Sequence, residues 1–201
     1  MAAAVITADI VNSSTLPPAD ERKLKQQLTA LLQNHRHEFY RGDSFQVYLK
    51  EPSDALRTVL QARSLARSFS EEHDIRASIG LGKVSLPVRE LKSSGGEAFT
   101  LSGRAFDELA NNRLAIVSAD EKANLALGLV AAFCDFLFQQ HTVRQAIVVQ
   151  ELFHGNTQVE AARRLGISQA TVNQHARSAN WSQILELLNK YQTVIQQYKL
   201  A

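Results

Sequence analysis

A chain of 201 residues with 45% hydrophobic content carries enough apolar side chains for one large core or two small ones. Its 22 Lys and Arg against 20 Asp and Glu leave a formal charge of +2, too small to hold nucleic acid by net charge, so any such binding must come from locally placed cations. The single cysteine, Cys134, excludes an intrachain disulfide, and its apolar setting, LVAAFCDFLF, fits an inert core thiol in a reducing compartment.

The amino terminus, MAAAVITADIVNSS, lacks a basic n-region and meets a carboxylate at Asp9, too early for a secretory segment. The longest apolar stretch, about 125–138, is interrupted by Asp135 and is too short to span a bilayer. A soluble, cytoplasmic protein without membrane association is expected.

Val5, Ile6, Ile10 and Val11 predict a buried strand with Asp9 near its end, followed by a polar turn over 12–15. Pro17 and Pro18 open a helix on which Leu24, Leu28, Leu31 and Leu32 repeat at i, i+4, i+7 and i+8. A hairpin follows, with an extended stretch over 38–41, a tight turn at Gly42 and Asp43, and Phe45, Val47 and Leu49 alternating with polar residues. Pro52 and Ser53 start a second helix with Leu56, Val59, Leu60, Ala66 and Phe69 on one side. The strand over 75–83 contains Gly80 and Gly82, which suggest close backbone approach to a neighbour or a ligand. A helix over about 97–111 leads to a last strand over 114–117. The order β, α, β, β, α, β, α, β predicts an α+β, ferredoxin-like sandwich, a mixed sheet with helices on one face.

From residue 119 onward no strand pattern remains, so a domain boundary is expected near Ser118, with domains over 1–118 and 119–201. The helix over 142–153 offers Val143, Ala146, Ile147 and Leu152 to a core. In QVEAARRLGISQATVNQHAR, which starts at Gln158, Ala161, Ala162 and Leu165 belong to a short helix that meets a turn at Gly166. Gly166 permits positive φ, Ile167 is expected as a buried plug, Ser168 as an N-cap, and Val172 as a residue facing the core. This spacing, over about 157–178, resembles helix-turn-helix proteins, and Thr171, Val172 and His175 look like the recognition helix of LuxR-type regulators. The resemblance implies that Ser168, Gln169, Thr171, Asn173, Gln174 and Arg177 lie at DNA, on base edges or phosphates. A helical hairpin that only packs in a bundle, or a protein-binding module, is disfavoured by Gln, Asn and Arg gathered on one face. The terminal stripe Trp181, Ile184, Leu188, Tyr191, Ile195 and Tyr198 fits equally a closing core helix or a homodimer contact.

Asp9 and Asp43, at the ends of neighbouring strands, would project at one edge of the sheet, although an aspartate in a Gly-Asp turn is by composition alone a turn residue. The runs ITADIVNSS, RGDSFQVYL, IRASIGLGKV and GGEAFTLSGRAFDEL together resemble the SatD family, and more distantly class III nucleotidyl cyclase domains, over most of residues 3–118. The resemblance implies a metal pair at Asp9 and Asp43, with the Ile10 carbonyl as an added ligand. Asn12, Ser13 and Ser14 would lie near phosphates, and Arg104 would occupy the motif's arginine position. Thr100 stands where the cyclase motif has asparagine, and Phe39 where it has the purine-selecting lysine, so cyclase activity is not expected. Mg²⁺ with a nucleotide or other phosphate-bearing effector remains the expected ligand. His35 and His37, placed i, i+2 on a helix, should point apart and form no metal site.

These expectations describe a DNA-binding transcriptional regulator with a ligand- or partner-sensing first domain and no cyclase activity. The alternative is a Mg²⁺-dependent nucleotide-processing enzyme with a helical dimerisation tail.

Overall fold

The computed structural model describes residues 2–40 and 42–200. The first part runs β1 (Ala2–Val11), α1 (Pro18–Leu32), β2 (Arg36–Tyr40), β3 (Ser44–Leu49), α2 (Ala55–Arg67), β4 (Asp74–Lys83), α3 (Glu97–Asp107) and β5 (Leu114–Ser118). Five helices follow: α4 (Glu121–Gln139), α5 (Val143–Phe153), α6 (Gln158–Leu165), α7 (Gln169–Ser178) and α8 (Trp181–Gln197). Among the described residues no helix is long and apolar enough to cross a membrane.

The sheet has the order β2-β3-β1-β4-β5. β1 is antiparallel to both β3 and β4, whereas β4 and β5 are parallel, which makes the sheet mixed and the first six elements a βαββαβ ferredoxin-like unit. β1 is apolar almost throughout because both of its faces are covered. Ala4, Ile6, Ala8 and Ile10 join the leucines of α1 and the apolar side of α2, while Ala3 and Val5 pack with Val84, Val88, Leu91, Ala98 and Phe99. The helices α1 and α2 thus share one face, and α3 lies across the other, where the sequence pattern had placed all helices on one side.

Gly80 explains how α3 sits so close. A Cβ at that position would come within 2.3 Å of the Ala98 carbonyl oxygen and 2.5 Å of the Ser102 nitrogen, so only glycine admits this approach. The neighbour that the glycines of β4 accommodate is therefore α3. That helix is shorter than its pattern suggests, ending at Asp107 ahead of Ala110, whose φ is +47°.

One hydrophobic core crosses Ser118 without a break. Leu127, Ala131, Cys134 and Phe138 of α4, Val149 and Phe153 of α5, and Ile184, Leu188, Tyr191 and Ile195 of α8 belong to the same cluster as the sheet and α2. The Tyr191 hydroxyl donates to the Pro52 carbonyl at 2.7 Å. The apolar stripe of α8 is thereby buried within the chain. Burial also pushes the Cys134 thiol up to about 12, with Arg63 pulling the other way, which keeps it protonated and unreactive.

A buried ion cluster ties α2, β4 and α4 together. Arg63, with 0% exposure, donates from Nε and Nη2 to Asp74 at 2.9 and 2.8 Å and from Nη1 to Asp135 at 2.5 Å. Burial disfavours the charged guanidinium, yet Asp74 and Asp135 outweigh it and raise its pKa. Asp135 also accepts the Arg113 and Leu114 amides at 2.7 and 3.2 Å, which anchors the start of β5. Arg67 donates to the Gln139 and His141 carbonyls at the end of α4, satisfying groups that a helix terminus leaves open.

Candidate functional sites

The strand pattern brings Asp9 and Asp43 to the same end of the sheet. Asp9 lies opposite Ser44 in the β1–β3 register, and the Ile10 amide donates to the Asp43 carbonyl at 3.2 Å. Their carboxylates are engaged separately. Asp9 accepts from Arg76 Nη2 at 2.6 Å and Nε at 3.3 Å, and the Arg76 guanidinium lies 4.8 Å from the Phe106 ring centroid on α3. Asp43 accepts from the Ser13 hydroxyl at 2.7 Å and from Ser44 at 3.4 Å. As placed, these side chains do not present a free dicarboxylate to a cation, and a metal would have to displace Arg76 from Asp9. Among the described residues no group of three or more metal-ligating side chains converges.

Asn12 adopts a left-handed conformation, φ 57°, and its Nδ2 donates to the Glu72 carbonyl at 2.9 Å. Ser13 opens the following 3-10 turn, Ser13–Thr15, in which Ser14 is exposed. Arg104 is exposed on the last turn of α3, and the Thr100 hydroxyl turns back to the Gly96 carbonyl at 3.2 Å. Among the described residues no hydrogen bond or ion pair links Arg104 to Asp9 or Asp43. His35 follows α1 and His37 lies in β2, so they share no helix. The His37 ring nitrogen instead meets the His35 carbonyl at 3.0 Å.

A polar ladder beneath α3 was not evident in the sequence. Gln46 Nε2 donates to Thr7 Oγ1 at 3.3 Å, Thr7 Oγ1 donates to Ser102 Oγ at 3.1 Å, and Ser78 Oγ donates to the Ser102 carbonyl at 2.6 Å. The opposite placement of Thr7 and Gln46 gives Gln46 a structural role. Polar side chains within otherwise apolar strands, Thr7 in β1 and Ser78 in β4, directly opposite each other in the sheet, were the available signal.

The second candidate site is built on α5, α6 and α7. Capping boxes open α5 at Thr142 with Gln145 and α6 at Thr157 with Glu160. The Thr157 backbone and hydroxyl hold the exposed Glu160 carboxyl below its usual range. Gly166 ends α6 at φ 66°, and the Ile167 amide donates to the Ala162 carbonyl at 3.1 Å. Ser168 Oγ accepts the Thr171 amide at 3.0 Å to start α7. Val148, Leu152, Ala161, Ala162, Val172 and Ala176 form a small core between these helices.

Ile167 is not the buried plug its position suggests. It is exposed beside Ile147, Leu165, Thr171 and His175, and Val148 fills the interior instead. Val143 and Ile147 are likewise only half-buried. On α7 the exposed face carries Gln169, Ala170, Asn173, Gln174 and Arg177, the spacing of one side of a helix. Thr171 is half-buried and its hydroxyl is tied to Ser168 at 2.8 Å. Arg163 and Arg164 on α6 are both exposed, and the Arg164 guanidinium pairs with Glu151 at 2.7 Å.

No protein-family model matches the chain, and no curated protein matches it in sequence. Among solved structures, two bacterial light-regulated adenylyl cyclases align with it in part. One has a TM-score of 0.40 at 16% identity, covering 57% of this chain and 74% of its own. The other has a TM-score of 0.38 at 18% identity, covering 58% of this chain and 43% of its own.

Proposed function

We propose that the chain is a DNA-binding regulator that places the outward face of α7 in the major groove, α6 and α7 acting as a helix-turn-helix. One observation carries this reading. Gln169, Asn173, Gln174 and Arg177 stand in solvent on a helix whose opposite side, Val172 and Ala176, is fixed in a core of its own. Gln and Asn can read adenine edges in pairs of hydrogen bonds, and Arg reads guanine or grips phosphate. Ser168 and Thr171 bond to each other, so their part is to set the start of α7, where free backbone amides can meet a phosphate. Residues 1–118 serve in this reading as the sensor, with a nucleotide or other phosphate-bearing molecule as effector and no cyclase chemistry.

The test is fluorescence anisotropy with duplexes tiled across the chain's own operon region. Binding to a particular duplex, lost when Gln169, Asn173, Gln174 and Arg177 are all changed to Ala, supports the reading. Absence of binding to every duplex, or binding that survives the fourfold change, overturns it. All four side chains are exposed, so the variant keeps its fold and circular dichroism can verify this.

A further inference from the structure

The helix α4 leaves an apolar face in water. Leu125, Leu129, Phe133 and Phe136 are 75%, 56%, 58% and 61% exposed, and with Gly128 and Ala132, also exposed, they cover one side of the helix. Single exposed hydrophobic residues are ordinary, but a contiguous stripe is not. Taking about 200 Å² for a fully exposed aromatic side chain and a little less for leucine, the four expose on the order of 500 Å² of surface. Two such faces together bury about 1,000 Å², and flanking residues bring this to the lower range of stable interfaces.

The order of large and small residues along this face identifies its occupant. When a second copy of α4 is laid antiparallel about a two-fold axis between Val130 and Ala131, Leu125 falls opposite Phe136, Gly128 opposite Phe133, and Leu129 opposite Ala132. Each large side chain near the centre thereby meets a small one, whereas parallel pairing would set Phe133 on Phe133 and Gly128 on Gly128. At the ends, Lys122 faces Gln139 and Glu121 faces Gln140, so no like charges meet. Gly128 adds an independent argument. A Cβ there would touch nothing within 4 Å, so packing within one chain does not require a glycine that costs the helix about 1 kcal/mol relative to alanine. Beside it, a groove of about 330 Å³ between β5 and α4, lined in part by Ala115, Val117, Gly128 and Ala132, can receive an incoming ring.

We infer that α4 is a homodimer interface in which Phe133 of each copy inserts against Gly128 of the other. The contact is isologous, as a two-fold dimer requires. It uses a surface left free after the α8 stripe is spent within the chain.

Sedimentation equilibrium on the full chain tests this without reference to DNA. The wild type is expected to be a dimer at micromolar concentration. Phe133→Ala and Gly128→Phe should each weaken dimerisation about tenfold or more. The double variant Gly128→Phe with Phe133→Ala swaps large for small and should restore it. A monomeric wild type overturns the proposal, as does a dimer indifferent to either single change or a double variant no better than both singles. Phe133 and Gly128 are exposed in one copy, so thermal unfolding can verify that each variant remains folded.

Discussion

Asp9 and Arg76 face each other directly across β1 and β4 and are joined by two hydrogen bonds, at 2.6 and 3.3 Å. The guanidinium therefore occupies the fork that a divalent cation would need. Cation binding at this sheet end is expected to compete with Arg76. Titration with Mn²⁺ should show weak binding by the wild type and at least tenfold tighter binding by Arg76→Ala. Adding Asp43→Asn to Arg76→Ala should cancel the gain. If Arg76→Ala binds no better than wild type, Asp9 and Asp43 do not share a cation.

Arg63 links Asp74 and Asp135 in the interior, so its removal leaves Asp135 with two backbone amides and no cation, and Asp74 with Arg67 at 3.7 Å as its nearest one. Replacing it with Met should destabilise the chain by about 3–5 kcal/mol, the cost of breaking a buried pair by deleting one partner. Urea unfolding measures this. Adding Asp74→Asn and Asp135→Asn to Arg63→Met should recover part of the loss, because the neutral amides are cheaper to bury. Equal stability of Arg63→Met and wild type would mean that the cluster is hydrated.

That cluster also marks the limit of what periodicity could reveal. Strand and helix order followed from the apolar β-branched run of β1, the alternation in β3 and the leucine spacing of α1, because those patterns depend on one or two immediate neighbours. The position of α3 did not, since it depends on Gly80 meeting Ala98 and Ser102, residues about twenty positions away. Asp135 within an apolar run, and Arg63 and Arg67 within the apolar helix α2, were signals of buried charge, but their pairing is a tertiary fact. At the candidate sites, the convergence of β1 and the hairpin was legible from Asp9 and Asp43. The capture of Asp9 by Arg76 was not, because cross-strand register is set by the whole sheet. Around α7 the cap at Ser168 and the inward Val172 could be read directly. The outward turn of Ile167 could not, since Val148 on α5 takes the interior place.

His141 gives the fold a pH dependence. Its ring is buried, and its Nε2 lies 2.9 Å from the Ala179 carbonyl, which can only accept, so the neutral ring carries its proton there. Burial lowers its pKa from 6.5 to about 4, with the Ala179 hydrogen bond opposing and nearby Arg67 and Arg63 adding to the depression. The unfolded chain takes up a proton near pH 6.5 and the folded chain does not until about pH 4. The stabilising contribution is therefore complete above 6.5 and declines as pH falls through that window. Between pH 7.5 and 5, His141→Gln, which keeps an N–H for Ala179, should lose about 2 kcal/mol less stability than wild type in urea unfolding. Parallel pH profiles for the two proteins would rule out this role.

Arg177 and Gln169 should separate grip from reading on DNA. Both are exposed on α7, Gln169 in its first turn and Arg177 in its last, so neither supports the core of Val172 and Ala176. If Arg177 holds a phosphate, Arg177→Ala weakens every duplex by a similar factor and lowers the slope of log affinity against log salt by about one unit. If Gln169 pairs with a base edge, Gln169→Ala leaves that slope unchanged and costs roughly 1–3 kcal/mol on the preferred duplex only. Gln174→Ala should behave like Gln169→Ala at a different base pair, because the two side chains lie more than one helical turn apart. Anisotropy titrations at several salt concentrations, on the preferred duplex and on single-base variants, distinguish these outcomes. A salt slope that falls with Gln169→Ala and holds with Arg177→Ala would reverse the assignment. Equal losses for all three on every duplex would place α7 on the backbone alone, with sequence read elsewhere in the chain.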